Sequence, residues 1–319
     1  MSYELLIQND NTVYAPVVQD DITWETERKG VPGKLTFKVT KDNILNFKEG
    51  NAIRLTKDNV NVFYGFVFTI KRDKGDTISV TAYDQLRYLK NKDTYVYTNK
   101  RADEVVSMIA NDFLLNVGHL ENTGYVIASR VEDNKTLFDM IQNALDLTLQ
   151  NTKEMYVLYD DFGKISLAGI ERLKLGLVID EETGENYDYE TSIDSDTYNK
   201  IKLAYDNKKT GKREIYIAQD SSKINEWGVL QYFEKIDENT NGQFKADTLL
   251  QLYNSKKRKL TIKNVLGDVR VRGGSSVIVN MNLGDVKIQN FMLVEKVKHS
   301  FSNNQHLMDL TLRGVDFYG

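Results

Sequence analysis

Residues 60–89 read VNVFYGFVFTIKRDKGDTISVTAYDQLRYL, and this stretch decides the class of fold. Val60, Val62, Tyr64, Phe66, Phe68 and Ile70 fall on one side of an extended strand, and Ile78, Val80 and Ala82 alternate with Thr77, Ser79 and Thr81 in the next. The spacing predicts a long hairpin with one continuous apolar face. Its turn is Asp73-Lys74-Gly75-Asp76, where glycine is expected to supply a positive φ, and Gly65 in mid-strand predicts a bulge that lets the sheet curl. A curled sheet with one apolar face points to a barrel or a sandwich. Tyr83 to Leu89 then breaks the alternation into a short helical turn whose Leu86 and Leu89 are expected to plug the open end.

Outward from the hairpin the same period continues. Upstream, Tyr3, Leu5 and Ile7, then Ile22 and Trp24, then Leu35, Phe37 and Val39, then Ile53 and Leu55 mark short strands separated by turn residues, the pattern of an antiparallel barrel or sandwich. This first β-barrel domain is expected over 1–97, ending near Tyr97. From Asn99 the period becomes helical. Val105, Met108, Ile109 and Phe113 fit a helix opened by Asn99, with Asp103 and Glu104 in its first turn. Leu137, Met140, Ile141, Ala144 and Leu145 form a second apolar stripe begun by Asn134 or Thr136. Glu154–Leu158 and Lys164–Ala168 read as a hairpin, which makes 98–180 a small α+β domain.

The segment 181–196 is acidic, poor in aliphatic residues, and expected to be a solvated linker. A second β-barrel domain with an inserted helix follows over 197–319. Its strands carry Ile201, Leu203 and Tyr205, Ile215 and Ile217, Leu260 and Ile262, Val269 and Val271, Val277 and Val279, Val286 to Val297, and His306 to Leu312; its helix runs from about Asn241 to Asn254. The architecture of the first third recurs without a clear sequence repeat. The fold class is therefore mainly β with an α+β middle.

Composition narrows the function. The 319 residues are 41% hydrophobic and 28% charged with a net charge of -4, ordinary globular material without a basic nucleic-acid footprint. There is no cysteine, which removes disulfides, thiolate metal sites and a cysteine nucleophile. The N-terminus lacks a basic region followed by an apolar core, and the run around Val62 to Phe68 is far short of a membrane span, so synthesis in the cytoplasm is expected.

Each reactive-looking motif has a simpler structural explanation. Asp161-Phe162-Gly163 matches the kinase magnesium tripeptide but lacks that enzyme's other loops, and is expected to be a hairpin turn. Gly273-Gly274 has no phosphate-loop continuation and reads as a turn between strands. In KVKHSFSNNQHLMDLTL a loop from Ser302 to Gln305 pairs Phe301 with His306 and His299 with Met308, which puts both imidazoles on the apolar face of Val297, Leu310 and Leu312. A third zinc ligand is absent locally, so these are expected to be core histidines bonded to backbone or water. His119 stands alone. The acids Asp180, Glu181, Glu182, Glu185, Asp194 and Asp196 lack the calcium-loop pattern; no pair of carboxylates stands out for glycoside chemistry, and no G-x-S-x-G occurs. No residue is assigned to a catalytic, cofactor or metal site.

The segments GKLTFKVTKDN, FKEGNAIRL, VFYGFVFTIKRDK and TAYDQLRYLKNKDTYVY, followed by DNKTLFDMIQNAL, YVLYDDFGKISL, YNKIKLAYDNKKTGKRE, GDVRVRGGSSV and LVEKVKHSFSNNQHLMDLTLRG, resemble the XkdQ/YqbQ group of phage baseplate proteins, related to the late-control D and myovirus hub proteins. The resemblance covers nearly the whole chain and rests on framework motifs. It implies two tube-like β-barrel domains per subunit with an α+β domain between or beside them, and three subunits closing a ring of six barrels that adapts a sixfold tail tube to a threefold spike. The expected role is a structural baseplate hub of a contractile phage tail or a phage-tail-like bacteriocin, not an enzyme, with tail tube, spike, other baseplate proteins and a tape-measure protein as partners and a neutral or acidic lumen. The hydrolase label of some relatives is not carried over, because no nucleophile or metal constellation supports it. The alternatives are a tail-associated cell-wall hydrolase and, from the eighteen tyrosines, a carbohydrate-binding module.

Overall fold

The structure, a computed structural model, describes residues 2–314 apart from 195, 209, 239, 303 and 304. Seven strands build a first β unit: β1 Tyr3–Asn9, β2 Thr12–Tyr14, β3 Val18–Glu27, β4 Lys34–Thr40, β5 Ala52–Lys57, β6 Val60–Arg72 and β7 Thr77–Tyr83. In β4 and β7 the alternating residues all point into one core, as expected. β6 differs. Register shifts beside Val62 and at Phe68 each turn the strand over, so Val62, Phe63 and Val67 enter the core. Tyr64, Phe66 and Phe68 face outward, onto Phe162, Tyr88 and Tyr83 at 5.7, 6.4 and 5.5 Å between ring centroids. The expected single apolar face is thus two faces. Gly65 sits between the two bulges in regular pairing with Ile53; a Cβ there would lie 2.3 Å from the Tyr83 carbonyl oxygen. Gly75 does not take a positive φ: the Asp73 carboxylate accepts its N–H at 2.9 Å and Lys41 donates to the turn carbonyls, so side chains hold the reversal.

The middle unit comprises β8 Lys92–Arg101, α1 Ala102–Asp112, β9 Val117–Leu120, β10 Val126–Thr136, α2 Leu137–Thr152, β11 Tyr156–Asp160 and β12 Ile165–Gly169. Helix α2 is capped by Thr136, which accepts from the Asp139 N–H. The first helix starts at Ala102 rather than near Asn99, because Asn99 lies inside β8; Arg101 is its cap and Glu104 accepts the Arg101 N–H. β8, which crosses the expected boundary at Tyr97, pairs with β10 and buries Tyr97 in the middle core. Leu86 and Leu89, on a 3-10 helix over Gln85–Lys90, join that same core. They anchor the middle unit to the first instead of plugging a barrel.

The second β unit takes β13 Lys174–Asp180 and β14 Asn186–Ser192 before an insertion, and β18 Lys257–Leu266, β19 Ser276–Asn282, β20 Lys287–Ser302 and β21 Gln305–Gly314 after it; the insertion holds β15 Lys200–Asn207, β16 Lys212–Gln219, α3 Ser221–Trp227, β17 Gln231–Lys235 and α4 Gly242–Tyr253. The insertion has its own three-stranded sheet and a core of Ile201, Leu203, Ala218, Ala246 and Leu249. β14 lies within the stretch expected to be a linker, and pairs along its length with β18; Val269 and Val271 lie in a loop rather than a strand.

The two β units repeat one another. The first runs β5-β6-β7-β4-β3 across the sheet and the second β19-β20-β21-β18-β14. Bulges fall at matching places, between Val67 and Thr69 and between Val294 and Lys296. Gly50 and Gly274 both have positive φ, and each donates its N–H to the strand residue before the bulge, Val67 or Val294, at 2.8 Å. The units merge where β20 meets β3, giving one 13-stranded sheet. Among the described residues no pairing closes either unit on itself. The expected barrels are open sheets, because β3 gives its outer edge to the other unit and β14 ends the sheet.

Candidate functional site

The region with the most unusual chemistry is the junction of these units. β20 pairs with β19 through Lys287–Leu293 and with β3 through Lys296–Phe301, which delivers Phe301 into the first unit's core. The expected register holds, with His299 opposite Met308 and Phe301 opposite His306. His299 stacks on Trp24, ring centroids 4.7 Å apart. Its Nε2–H donates to the Val271 carbonyl at 2.9 Å, which leaves Nδ1 to accept from His306 Nε2–H, also at 2.9 Å. His306 Nδ1 is buried without a partner. Burial pushes both imidazoles down, His299 to about 3 and His306 to about 4, so both are neutral at pH 7. They bind each other and backbone, and among the described residues no three metal-ligating side chains cluster.

A second knot, which no sequence pattern marks, ties all three units. Asp84 accepts the N–H of Gly33 at 2.8 Å and of Leu86 at 3.1 Å. Asp160 accepts the Gly163 N–H at 2.7 Å. Burial, reinforced by the Asp160 charge, raises Asp84 well above the carboxylate range, and burial lifts Asp160 to about 7. Arg272 donates to the Asp160 carbonyl at 2.9 Å and lies over the Tyr159 ring. Next to it, Gly273 donates its N–H to Thr26 Oγ1 at 2.9 Å and presses so closely that a Cβ would sit 2.3 Å from the Glu27 carbonyl carbon. Arg28 completes the joint with a two-pronged pair to Glu295 at 2.9 and 3.0 Å. Paired raised carboxylates are a signature of acid-base sites, but the cavity beside these is about 20 Å³, room for about one water. The knot clamps the three units together.

The other motifs fall in place around it. Asp161-Phe162-Gly163 is the β11–β12 turn, with Phe162 and Gly163 at φ 48° and 83°, and it docks on Tyr64. Gly273-Gly274 is the clamp turn. His119 meets Arg172 at 2.9 Å on the surface. Asp180 caps its own turn by accepting the N–H groups of Glu182 and Thr183, and Glu181 accepts the Asn282 N–H. A concavity of about 480 Å³ is lined by opposed charges including Arg28, Lys29, Asp146, Asp196, Lys257 and Glu295. No helix is long and apolar enough to cross a membrane among the described residues.

A fold of two repeated sheets knitted by structural turns matches known proteins over its full length. The YqbQ-like family model matches residues 22–313. The chain belongs to the YqbQ-like family. It is 32% identical over 311 residues to the uncharacterized protein YqbQ of Bacillus subtilis strain 168, covering 94% of this chain and 93% of that one. It is 31% identical over 319 residues to the phage-like element PBSX protein XkdQ of the same strain, covering 96% and 95%. Among solved structures it resembles the 43 kDa tail protein of prophage MuSo2 from Shewanella oneidensis, with a TM-score of 0.71 at 14% identity over 97% of this chain and 98% of that one. It also resembles the E. coli c3393 protein, a type VI secretion component described as similar to T4 tail proteins gp27 and gp5, with a TM-score of 0.60 at 13% identity over 99% and 78%. The chain thus shares the fold of these tail and secretion-system proteins.

Proposed function

We propose that the chain is a structural baseplate hub of a contractile phage tail or phage-tail-like bacteriocin, three copies forming a ring that joins the tail tube to the central spike. The observation that carries this reading is the repeated β unit: one chain supplies two sheets of the same strand order, already joined edge to edge, so three chains present six alike units to a sixfold tube while keeping threefold symmetry toward a spike. The tube, the spike, other baseplate proteins and a tape-measure protein are the partners, and the particle is the place of action. The chain's role is non-enzymatic; its raised carboxylates and neutral histidines serve packing at the junction. The test is the solution mass of the purified chain by light scattering, well above micromolar concentration. Three copies are expected, and a ring in negative-stain images; a monomer overturns the hub reading.

A further inference from the structure

Equivalence between the two units has a consequence at their outer edges. Matching the bulges pairs Thr69, Ile70, Lys71 and Arg72 of β6 with Lys296, Val297, Lys298 and His299 of β20. Matching the β3–β4 and β14–β18 registers pairs Trp24, Glu25, Thr26 and Glu27 of β3 with Tyr189, Glu190, Thr191 and Ser192 of β14. Inside one chain the end of β20 lies on β3. The corresponding end of β6 lies on nothing: β5 stops at Ala52 opposite Phe66, and past Val67 no strand follows on that side among the described residues. β14 is the last strand of the sheet.

We propose that Thr69–Arg72 takes the β14 edge of a second copy, Tyr189–Ser192, in the antiparallel register that β20 and β3 use within the chain. Thr69 then faces Ser192, Ile70 faces Thr191, Lys71 faces Glu190 and Arg72 faces Tyr189. The charges fit. Lys296 bonds Glu27 at 2.9 Å and Glu25 at 3.5 Å across the internal joint, and the free edges keep those signs: Lys71, Arg72 and Lys74 on one, Asp188 and Glu190 on the other, approached by Glu181, Glu182 and Glu185. These side chains are exposed, and two bare edges on one molecule invite pairing. The contact is heterologous, so each copy offers one edge and receives the other, which closes a ring when the rotation repeats. It is shorter than the internal joint, since β6 ends at Arg72 while β20 continues to Ser302. The inference rests on the ring reading above and names its interface.

Because the chain has no cysteine, the double variant Lys71→Cys with Glu190→Cys tests the register directly. Facing residues of an antiparallel pair are close enough to bridge, so mild oxidation gives two- and three-copy bands on a non-reducing gel, and the off-register pair Lys71→Cys with Asp188→Cys does not. In a cysteine-free background, Lys71→Glu lowers the solution mass and adding Glu190→Lys restores it. All three positions, 71, 188 and 190, are exposed, and unchanged melting curves confirm folding. A three-copy mass with no cross-link overturns this pairing and leaves the ring standing; a monomer overturns both.

Discussion

Strands β3 and β14 hold the same place in two sheets of the same order, yet one is buried and the other bare. Ile22 on β3 is 0% exposed, whereas Tyr187, at the matching place on β14, is 46% exposed. The strands are not very different in themselves: ITWETE and YDYETS share a Glu-Thr pair and an aromatic residue at the matching position. What separates them is the neighbour, because β20 extends past its bulge and carries His299 and Phe301 onto β3, while among the described residues no strand covers the outer edge of β14. Sheet order therefore sets which edges are alike, and covering decides which are stable.

The largest way to break the comparison is to remove what β20 brings. Phe301 is 1% exposed and packs in the first unit's core although it belongs to the second unit's strand. Phe301→Ala is expected to cost about 3–5 kcal/mol, measured by urea unfolding, and to loosen hydrogen-exchange protection in β3 as much as in β20. A loss confined to β20 contradicts the shared core.

Next in size is the clamp turn. Gly273 corresponds to Glu49, since Gly274 corresponds to Gly50, and the two positions face different surroundings. At Gly273 a Cβ meets the Glu27–Arg28 backbone, which cannot swing aside as a side chain can. Gly273→Ala is expected to cost about 1–3 kcal/mol as an overpacking change, whereas Glu49→Ala, at an exposed position, stays within about 0.5 kcal/mol. Equal losses from the two alanines remove the asymmetry.

Much of this was legible in the order of residues, and the misses have physical causes. Strands β4 and β7 announce their faces because each is covered on one side only. β6 misleads because both of its sides are apolar and covered, by the core and by Phe162 and Tyr88, so alternation carries no information about which side is in. Leu86 and Leu89 show that a helical turn is buried without showing in which core. The His299–His306 register was readable because a short loop fixes pairing geometry. The Asp84–Asp160 clamp was not, since one acid caps the 3-10 helix after β7 and the other ends β11 in another unit, and they meet only in three dimensions. β14 was hidden by its acidity; Tyr187 and Tyr189 at a spacing of two were its one signal.

The two knots titrate in opposite senses. For His299 and His306 the folded values of about 3 and 4 lie below the ordinary 6.5, so the unfolded chain binds more protons and stability falls as pH drops from 6.5 toward 4. For Asp160 the folded value of about 7 lies above the ordinary 3.8, so its contribution is full below 3.8 and is lost as pH rises through 7. The two limbs overlap between about pH 4 and 6.5, where they oppose each other, and above about 7 neither contributes a slope. His306→Gln weakens the histidine limb between about 4 and 6.5, and Asp160→Asn, which keeps an oxygen for the Gly163 N–H, removes the opposing limb between about 4 and 7. Unchanged limbs in either variant contradict the burial of that knot.

The smallest effect concerns the charges at the internal joint. Lys296 is 43% exposed and bonds both Glu25 and Glu27, and ion pairs this open are worth about 0–1 kcal/mol, less with added salt. Lys296→Ala is therefore expected to move the urea midpoint only slightly, with the shift shrinking at high salt. Packing of Phe301 and His299 holds the joint, while the lysine–glutamate match fixes which edge meets which and suppresses wrong pairings. A large loss from Lys296→Ala would mean that the joint depends on its charges; the free edges, which carry Lys71 and Glu190 but have no phenylalanine at the place of Phe301, would then be expected to bind as tightly as the internal pair does.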